Sequence, residues 1–423
     1  MEHPPRNVMD ERRDYNMTLR STTLQRMIAC AALGFICIGS AGVAYGQGDY
    51  QFGSSGVSSA SSNRDGSADF PAPGKPQLNY TQRVALAWQI ALSANNFSPG
   101  ILDGNFGPHS RRALKEYAAR FFPGVNPLDP HNPAVFNALG VDVKNVITQY
   151  TITQDDADSV GHLHWTWRKM AAGSRMPYAS LEDCLCEKFH CTESLMRALN
   201  PRADLQNLSV GQTLNVPNIR PFPGSNDFGN PGGLQAVIQQ DKQTFPEAHV
   251  AYLTVNLAQK AIRAYNRHNQ QVALFWCSIA AHKAELPTED GLIKDIALDP
   301  NYTFRPSMYP QAHIDHRLII PPGPRNPVGI VWMGLNLPGV GMHGNPVPQH
   351  IGLTGSHGCF RMCNWDAVHL LTLVHIGLPV IMINPKKPIP LTVALPAGIN
   401  PPGLPEQSEY AGSRTATLTE AGR

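Results

Sequence analysis

Gly341-Met342-His343-Gly344-Asn345-Pro346 and, a few residues on, Ser356-His357-Gly358-Cys359-Phe360-Arg361-Met362-Cys363-Asn364 form the one stretch of this chain that reads directly as chemistry. A cysteine attacks as its thiolate, so at neutral pH it needs a base or a cation beside it. His343 and His357 are the nearby candidates. Gly358 lets the backbone approach an electrophile closely. A helix beginning just after Cys359 would set its positive end and free N–H groups at the sulfur, lowering the thiol pKa and holding an oxyanion. Arg361 adds a fixed cation that can grip a carboxylate through two hydrogen bonds. These are the parts of a cysteine acyl-transfer site. His343, His357, Cys359 and Cys363 also carry the atoms zinc favours, but their spacing fits no structural zinc pattern and leaves Gly358 and Arg361 unexplained. No metal and no cofactor is expected.

The same residues resemble the signature of the L,D-transpeptidase (YkuD-type) catalytic domain, in which a His-Gly precedes a Ser-His-Gly-Cys followed by an apolar residue and Arg or Asn. Here His343 and Cys359 stand sixteen positions apart. Asn326-Pro327-Val328-Gly329 resembles the Asn-Pro-Leu-Gly that the family carries upstream, and 251–265 resembles its opening strand pair. The resemblance covers 247–385. It implies Cys359 as nucleophile and His343 as general base and later acid, oriented by the backbone carbonyl of Gly344. It makes His357, Gly358 and Cys359 the oxyanion hole and its support, and gives Ser356 and Arg361 the loop and the substrate. Asn364 is expected to cap the helix that follows.

There are departures. Asn345-Pro346 stand where the family often has Thr, Phe360 where Ile or Val is usual, and Cys363 is an extra thiol. A disulfide between Cys359 and Cys363 would abolish activity, so both are expected reduced in the active form. The implied reaction is attack on the carbonyl at a diamino acid's L-centre in a peptidoglycan stem tetrapeptide. Terminal D-Ala leaves, and a neighbouring stem's side-chain amine resolves the acyl-enzyme. Water, a free D-amino acid or a wall-anchored protein are alternative acceptors. Hydrolysis of cross-links starts from the same acyl-enzyme. An inactive wall-binding scaffold is a further alternative, against which the intact His343–Cys359 pair argues.

Around this domain the chain reads as a multidomain α+β protein: a mostly β catalytic domain of β-sandwich type, preceded by a small helical module and a LysM-like module. Within 247–385, two apolar runs flank the turn residues Asn266 to Gln270 and predict a hairpin. Asn364 to Leu373 predicts a helix and Pro379 to Ile383 a short buried strand. In 77–125, Val84, Trp88, Ala91 and Leu92 share a helical face behind a Thr81 cap. A Pro-Gly and Asp-Gly turn and a second helical face at Ala113, Leu114, Tyr117 and Phe121 follow. This resembles the small peptidoglycan-binding domain; a plain helical hairpin is the alternative. Residues 148–218 resemble the LysM module, a strand-helix-helix-strand fold that binds glycan strands, interrupted by an insertion at 154–177. In it Trp165 and Trp167 read as module core, with stacking on sugar as the alternative.

Residues 27–44 are the one long apolar run, preceded by Arg20 and Arg26 and followed by small residues. That is the order of a secretory signal peptide, 1–46; an uncleaved anchor is the alternative. Export to the periplasm or cell wall follows. Six cysteines then remain, too few for a disulfide scaffold in this length, with pairing among Cys184, Cys186 and Cys191 left open. Residues 47–76 read as a flexible tether, 219–246 as a linker and 386–423 as a disordered tail. With net charge +2, 16% charged residues and no basic run, the chain is not built for nucleic acid.

Overall fold

A computed structural model describes residues 70, 72–129, 131–222, 249–384, 386, 391–395, 399 and 401. The signal peptide, residues 47–69 of the tether and most of the 219–246 linker lie outside the described residues.

The C-terminal part is built on strands β3 (Val250–Asn256), β4 (Ala261–Asn266), β5 (Gln271–Trp276), β6 (Gly291–Leu298), β9 (Val331–Leu335), β10 (Gly341–His343), β11 (Phe360–Arg361) and β12 (Pro379–Ile383). All five residues of β12 are buried, as the continuous apolar run of a strand covered on both faces requires. β12 lies at the centre, parallel to β3 and antiparallel to β6. The β4–β5 hairpin turns at 267–270, as its turn residues predict.

The β-sandwich expectation is corrected here. One hydrogen-bonded ladder runs in the order β11-β10-β9-β6-β12-β3-β4-β5. A register shift in β6 between Ile293 and Asp295 marks the irregular place along it. The ladder curls until its two edges meet. Just past β5, Ser278 N donates to Arg361 O at 2.8 Å and Arg361 N returns to Ser278 O at 3.1 Å. Ala281 N and Ser356 O continue the seam at 2.9 Å. Curling removes two exposed edges at once. Helix α8 (Asn364–Leu373) is apolar nearly all round and fills the curl, packed against β5, β9 and β10.

The helical module supplies α1 (Tyr80–Ala94), α2 (Pro108–Phe121) and α3 (Ala134–Leu139). The cap of α1 is Asn79, not Thr81: Asn79 Oδ1 accepts from Gln82 N at 2.9 Å, and Gln82 Oε1 accepts from Asn79 N at 3.0 Å. Residues of both kinds were available, and the reciprocal pair with a Gln at the third helical position wins.

The third part runs β1 (Ile147–Thr151), α4 (Gln154–Asp158), α5 (Trp167–Ala172), α6 (Leu181–Lys188), α7 (Glu193–Leu199) and β2 (Thr213–Pro217), with β1 and β2 antiparallel. Ser180 caps α6 by accepting from Asp183 N at 3.1 Å. The core reading of the insertion's tryptophans is corrected: α5 buries none of its residues, and Trp165 is 70% exposed. Strands β7 (Tyr302–Phe304) and β8 (Leu318–Ile320) form a small separate ladder beside them.

One continuous hydrophobic core runs through all three parts. The tail expectation is corrected in part as well. Thr392 N donates to Asp290 Oδ2 at 3.0 Å, and Ile399 is buried with Tyr252, Tyr265 and Ile381. Among the described residues no helix is long and apolar enough to cross a membrane.

Candidate active site

Strand register assembles the site. β10 and β11 run parallel with Met342 opposite Phe360 and His343 opposite Arg361. Strand residues alternate faces, so His343, Arg361 and, one step before the strand, Cys359 all project from the same face. Met342 and Phe360 point the other way into the core, both fully buried. Met362 N donates to His343 O at 2.8 Å and pins the register.

His343 is buried, and its Nδ1 lies 2.6 Å from Gly344 O. Burial pushes its pKa down to about 4, with the Gly344 carbonyl opposing and Arg361 adding to the shift. The ring is therefore neutral at pH 7. With Nδ1–H donated to the carbonyl, the lone pair is left on Nε2. Trp332 stacks on the imidazole at 5.7 Å between centroids, and its own Nε1 donates to Asp295 Oδ1 at 2.9 Å. The indole needs a flat floor. A Cβ at Gly341 would lie 2.7 Å from Trp332 Cη2, and one at Gly334 would meet Trp332 Nε1 at 2.7 Å.

Cys359 Sγ donates to Gly339 O at 3.2 Å. Burial raises its pKa, opposed by the Gly341 backbone and by Arg361 and Arg305. The expected helix dipole at the sulfur is corrected: β11 intervenes, and α8 starts only at Asn364. Thiol and imidazole thus rest as a neutral pair. Gly358 has φ +119°, open only to glycine, which turns the chain just before the sulfur. Ser356 Oγ donates to Cys359 O at 2.5 Å and accepts from Gly358 N at 3.2 Å, bracing that turn. Arg361 Nη1 donates to Gly355 O at 2.9 Å. His357 is exposed, its ring edge-on to Tyr309 at 5.1 Å. Cys359 and Cys363 are both free thiols; Cys363 is buried at the start of α8.

Asn364 does not cap its helix; Cys363 holds that position, with no side-chain cap. Its amide is spent elsewhere. Asn364 Nδ2 donates to Glu187 Oε1 on α6 at 2.7 Å and to Pro324 O at 3.3 Å. Glu187 is buried, and its other oxygen takes Arg325 Nη1 at 2.6 Å. The same nitrogen donates to Pro346 O at 2.7 Å, and the far side of the guanidinium pairs with Asp183. Two residues of α6 therefore hold the loop that follows His343. Asn364 also closes on that loop directly. A Cβ at Gly344 would lie 2.0 Å, and one at Gly329 2.1 Å, from Asn364 Oδ1. This explains the Asn326-to-Gly329 element: Asn326 Oδ1 accepts from Val328 N at 2.9 Å and shapes a turn that packs Gly329 on Gly344.

Glu187, Asp183, Arg325, Trp332 and Tyr309 were missed in sequence. Only the facing glycines Gly334 and Gly341, opposite in register, hinted at a large ring lying over them. Among the described residues, no group of three or more His, Cys, Asp or Glu is placed to hold a metal ion.

Residues 250–382 match the model of the YkuD family, the L,D-transpeptidase catalytic domain. The match lies in the C-terminal part and takes in under a third of the 423 residues. Two curated relatives are the Bacillus licheniformis protein YkuD, assigned by its name to the L,D-transpeptidases, at 39% identity over 59 residues, and the similarly assigned Bacillus subtilis YqjB at 32% over 69. The matches take in 14% and 15% of this chain, and only 36% and 39% of those relatives' lengths. Solved structures include an Enterococcus faecium L,D-transpeptidase, at 17% identity and TM-score 0.25 over 32% of this chain and 50% of that one. Another is an L,D-transpeptidase from Mycobacterium tuberculosis, at 14% and 0.24 over 42% and 75%.

Proposed function

We propose that the protein is an exported cysteine acyltransferase that cross-links peptidoglycan. Cys359 is the nucleophile and His343 its base. The observation that carries this reading is the shared face of His343, Cys359 and Arg361 across paired strands, with the imidazole held neutral and its Nδ1 engaged by Gly344 O.

The steps follow from that arrangement. Substrate binding brings a carbonyl to Cys359, and His343 Nε2 takes the thiol proton as sulfur attacks. With the Gly358 N–H donated to Ser356 Oγ, the backbone N–H of Cys359 is the donor left for the developing oxyanion. The imidazolium returns its proton to the departing D-Ala amine. A side-chain amine of a second stem then attacks the thioester, and His343 acts again as base. Ser356 keeps the nucleophile turn in shape. Arg361, on the same face, meets the substrate's carboxylate. A thiol that rests protonated suits an exported enzyme, because little reactive thiolate stands exposed between turnovers. Residues 77–125 and 148–218 are read as wall-binding modules. The strand-helix-helix-strand order of the second, with its inserted helices, supports that reading. Acceptors remain a stem peptide, water, a D-amino acid or a wall-anchored protein.

The test is incubation of the protein with a disaccharide-tetrapeptide, followed by mass spectrometry, beside Cys359→Ala and His343→Ala. A dimer linked through two diamino acids, with D-Ala lost and both variants inactive, is the expected result. Tripeptide alone would make it a carboxypeptidase. Absence of both D-Ala release and a thioester mass would remove the donor assignment.

A further inference from the structure

The 154–177 insertion buries Asp156, Ser159 and Met176 but forms no apolar cluster of its own. Its helix α5 buries nothing, yet the segment carries two tryptophans. Trp167 is fixed from one side by Phe304 at 4.8 Å and Tyr309 at 5.0 Å between ring centroids. Tyr309 in turn meets His357 of the nucleophile turn. An aromatic wall thus runs unbroken from the insertion to the catalytic loop. Beside it lies a groove of about 880 Å³ between the 148–218 part and the catalytic domain, reaching from Trp165 to Arg361. On the rim of this groove Trp165 stands 70% exposed, its ring face open to a ligand.

The groove's lining selects the ligand. Of its carboxylates, Asp183 and the buried Glu187 share the one guanidinium of Arg325, and the exposed Glu193 lies 3.6 Å from Arg197. With three carboxylates against two guanidiniums, the lining carries no strong charge of either sign to select a charged polymer. What remains on offer is flat indole and phenol faces beside hydroxyls such as Ser180 and Ser194. A pyranose has that complementary form: an apolar C–H face and a polar hydroxyl rim. We propose that this groove binds a saccharide chain, stacked on Trp165 and leading toward Cys359. That the chain is the glycan bearing the reacting stem rests on the transpeptidase reading; the saccharide binding itself does not.

The experiment titrates a peptide-free N-acetylglucosamine–N-acetylmuramic acid oligosaccharide, and separately the free stem tetrapeptide, by calorimetry. Wild type, Trp165→Ala and Trp165→Phe are compared, with KM measured for sugar-linked and free tetrapeptide. Trp165→Ala should weaken the oligosaccharide about tenfold, and Phe should restore most of the loss. KM should rise by a similar factor for the sugar-linked substrate, with kcat and the free tetrapeptide unaffected. Unchanged oligosaccharide affinity in Trp165→Ala would overturn the proposal. So would no oligosaccharide binding by the wild type, or equal loss for the free tetrapeptide, which would make the groove a peptide site. Oligosaccharide binding through Trp165 without D-Ala release from any substrate would leave the saccharide site standing and remove the catalytic reading alone.

Discussion

The helical module and the 148–218 part both pack on the catalytic domain, but they hold different things. The helical module holds the sheet. Leu274 N donates to Asn96 O at 2.9 Å and Ser98 N to Leu274 O at 2.8 Å, so its loop pairs with the β5 edge. Glu116 on α2 grips Arg263 of β4 through two hydrogen bonds, 2.8 and 2.7 Å. Ser98 Oγ donates to Asp366 on α8 at 2.9 Å. None of these bonds reaches the His343 or Cys359 loops. The 148–218 part instead puts Asp183 and Glu187 against Arg325, Asn364 and the Pro346 carbonyl, next to the acceptor of His343 Nδ1. The two parts thus divide the work: one supports the scaffold, the other the loop that follows His343.

That division can be broken from either side. The largest effect is expected for Glu187→Ala, which removes the fully buried carboxylate shared by Arg325 and the Asn364 amide and leaves them Asp183 and the Pro324 carbonyl. Stability should fall by about 3–5 kcal/mol in urea titrations. In the milder Glu187→Gln, thioester formation should still slow on the order of a hundredfold as the His343 loop loosens. A normal acylation rate in both variants would show that α6 has no say in catalysis. Glu116→Ala should cost about 1.5–3 kcal/mol by the same titration and leave the acylation rate unchanged. A slowed rate there would erase the contrast.

Asp366 sharpens the comparison through pH. Burial lifts its pKa from 3.8 to about 7. Between those values the folded protein keeps a proton that the unfolded chain has lost, so stability falls as pH rises across that window. Asp366→Asn should raise stability by roughly 1–2 kcal/mol at pH 8 and change little below pH 4, read from urea midpoints across pH. The smallest effect concerns His343, whose pKa lies near 4. Its stability contribution is present above about pH 6.5 and is lost as pH falls toward 4. If it is the base, the acid limb of kcat/KM should fall near pH 4 rather than 6.5; a limb at 6.5 would point to another group.

Much of this was legible because its signals are local. The ends of α8, the β4–β5 hairpin and the buried strand β12 follow from period and turn chemistry within a dozen residues or so. His343 and Cys359 could be proposed from sequence as a reactive pair because two short motifs carry them. Glu187 was not, because it reaches Asn364 across 177 positions, and no local period encodes such a contact. Asn364 looked like a cap because Asn at the head of an apolar helix usually is one. A buried carboxylate outbid the helix for its amide. Trp165 and Trp167 looked like core because tryptophan usually is. Only the fold shows that the insertion has nothing to bury them in.

The position of β12 bears on when the enzyme comes into being. It is the last described strand to emerge in chain order, yet it occupies the centre of the ladder. β3, β4 and β5 hydrogen-bond to β6, β9, β10 and β11 within the ladder only through it. Until residues 379–383 are made, the ladder lacks its central strand, and only α8, packed on β5, β9 and β10, joins the two halves whose seam sets Arg361 beside Ser278. On the proposed reading, the setting of Cys359 is therefore completed only when β12 takes its place.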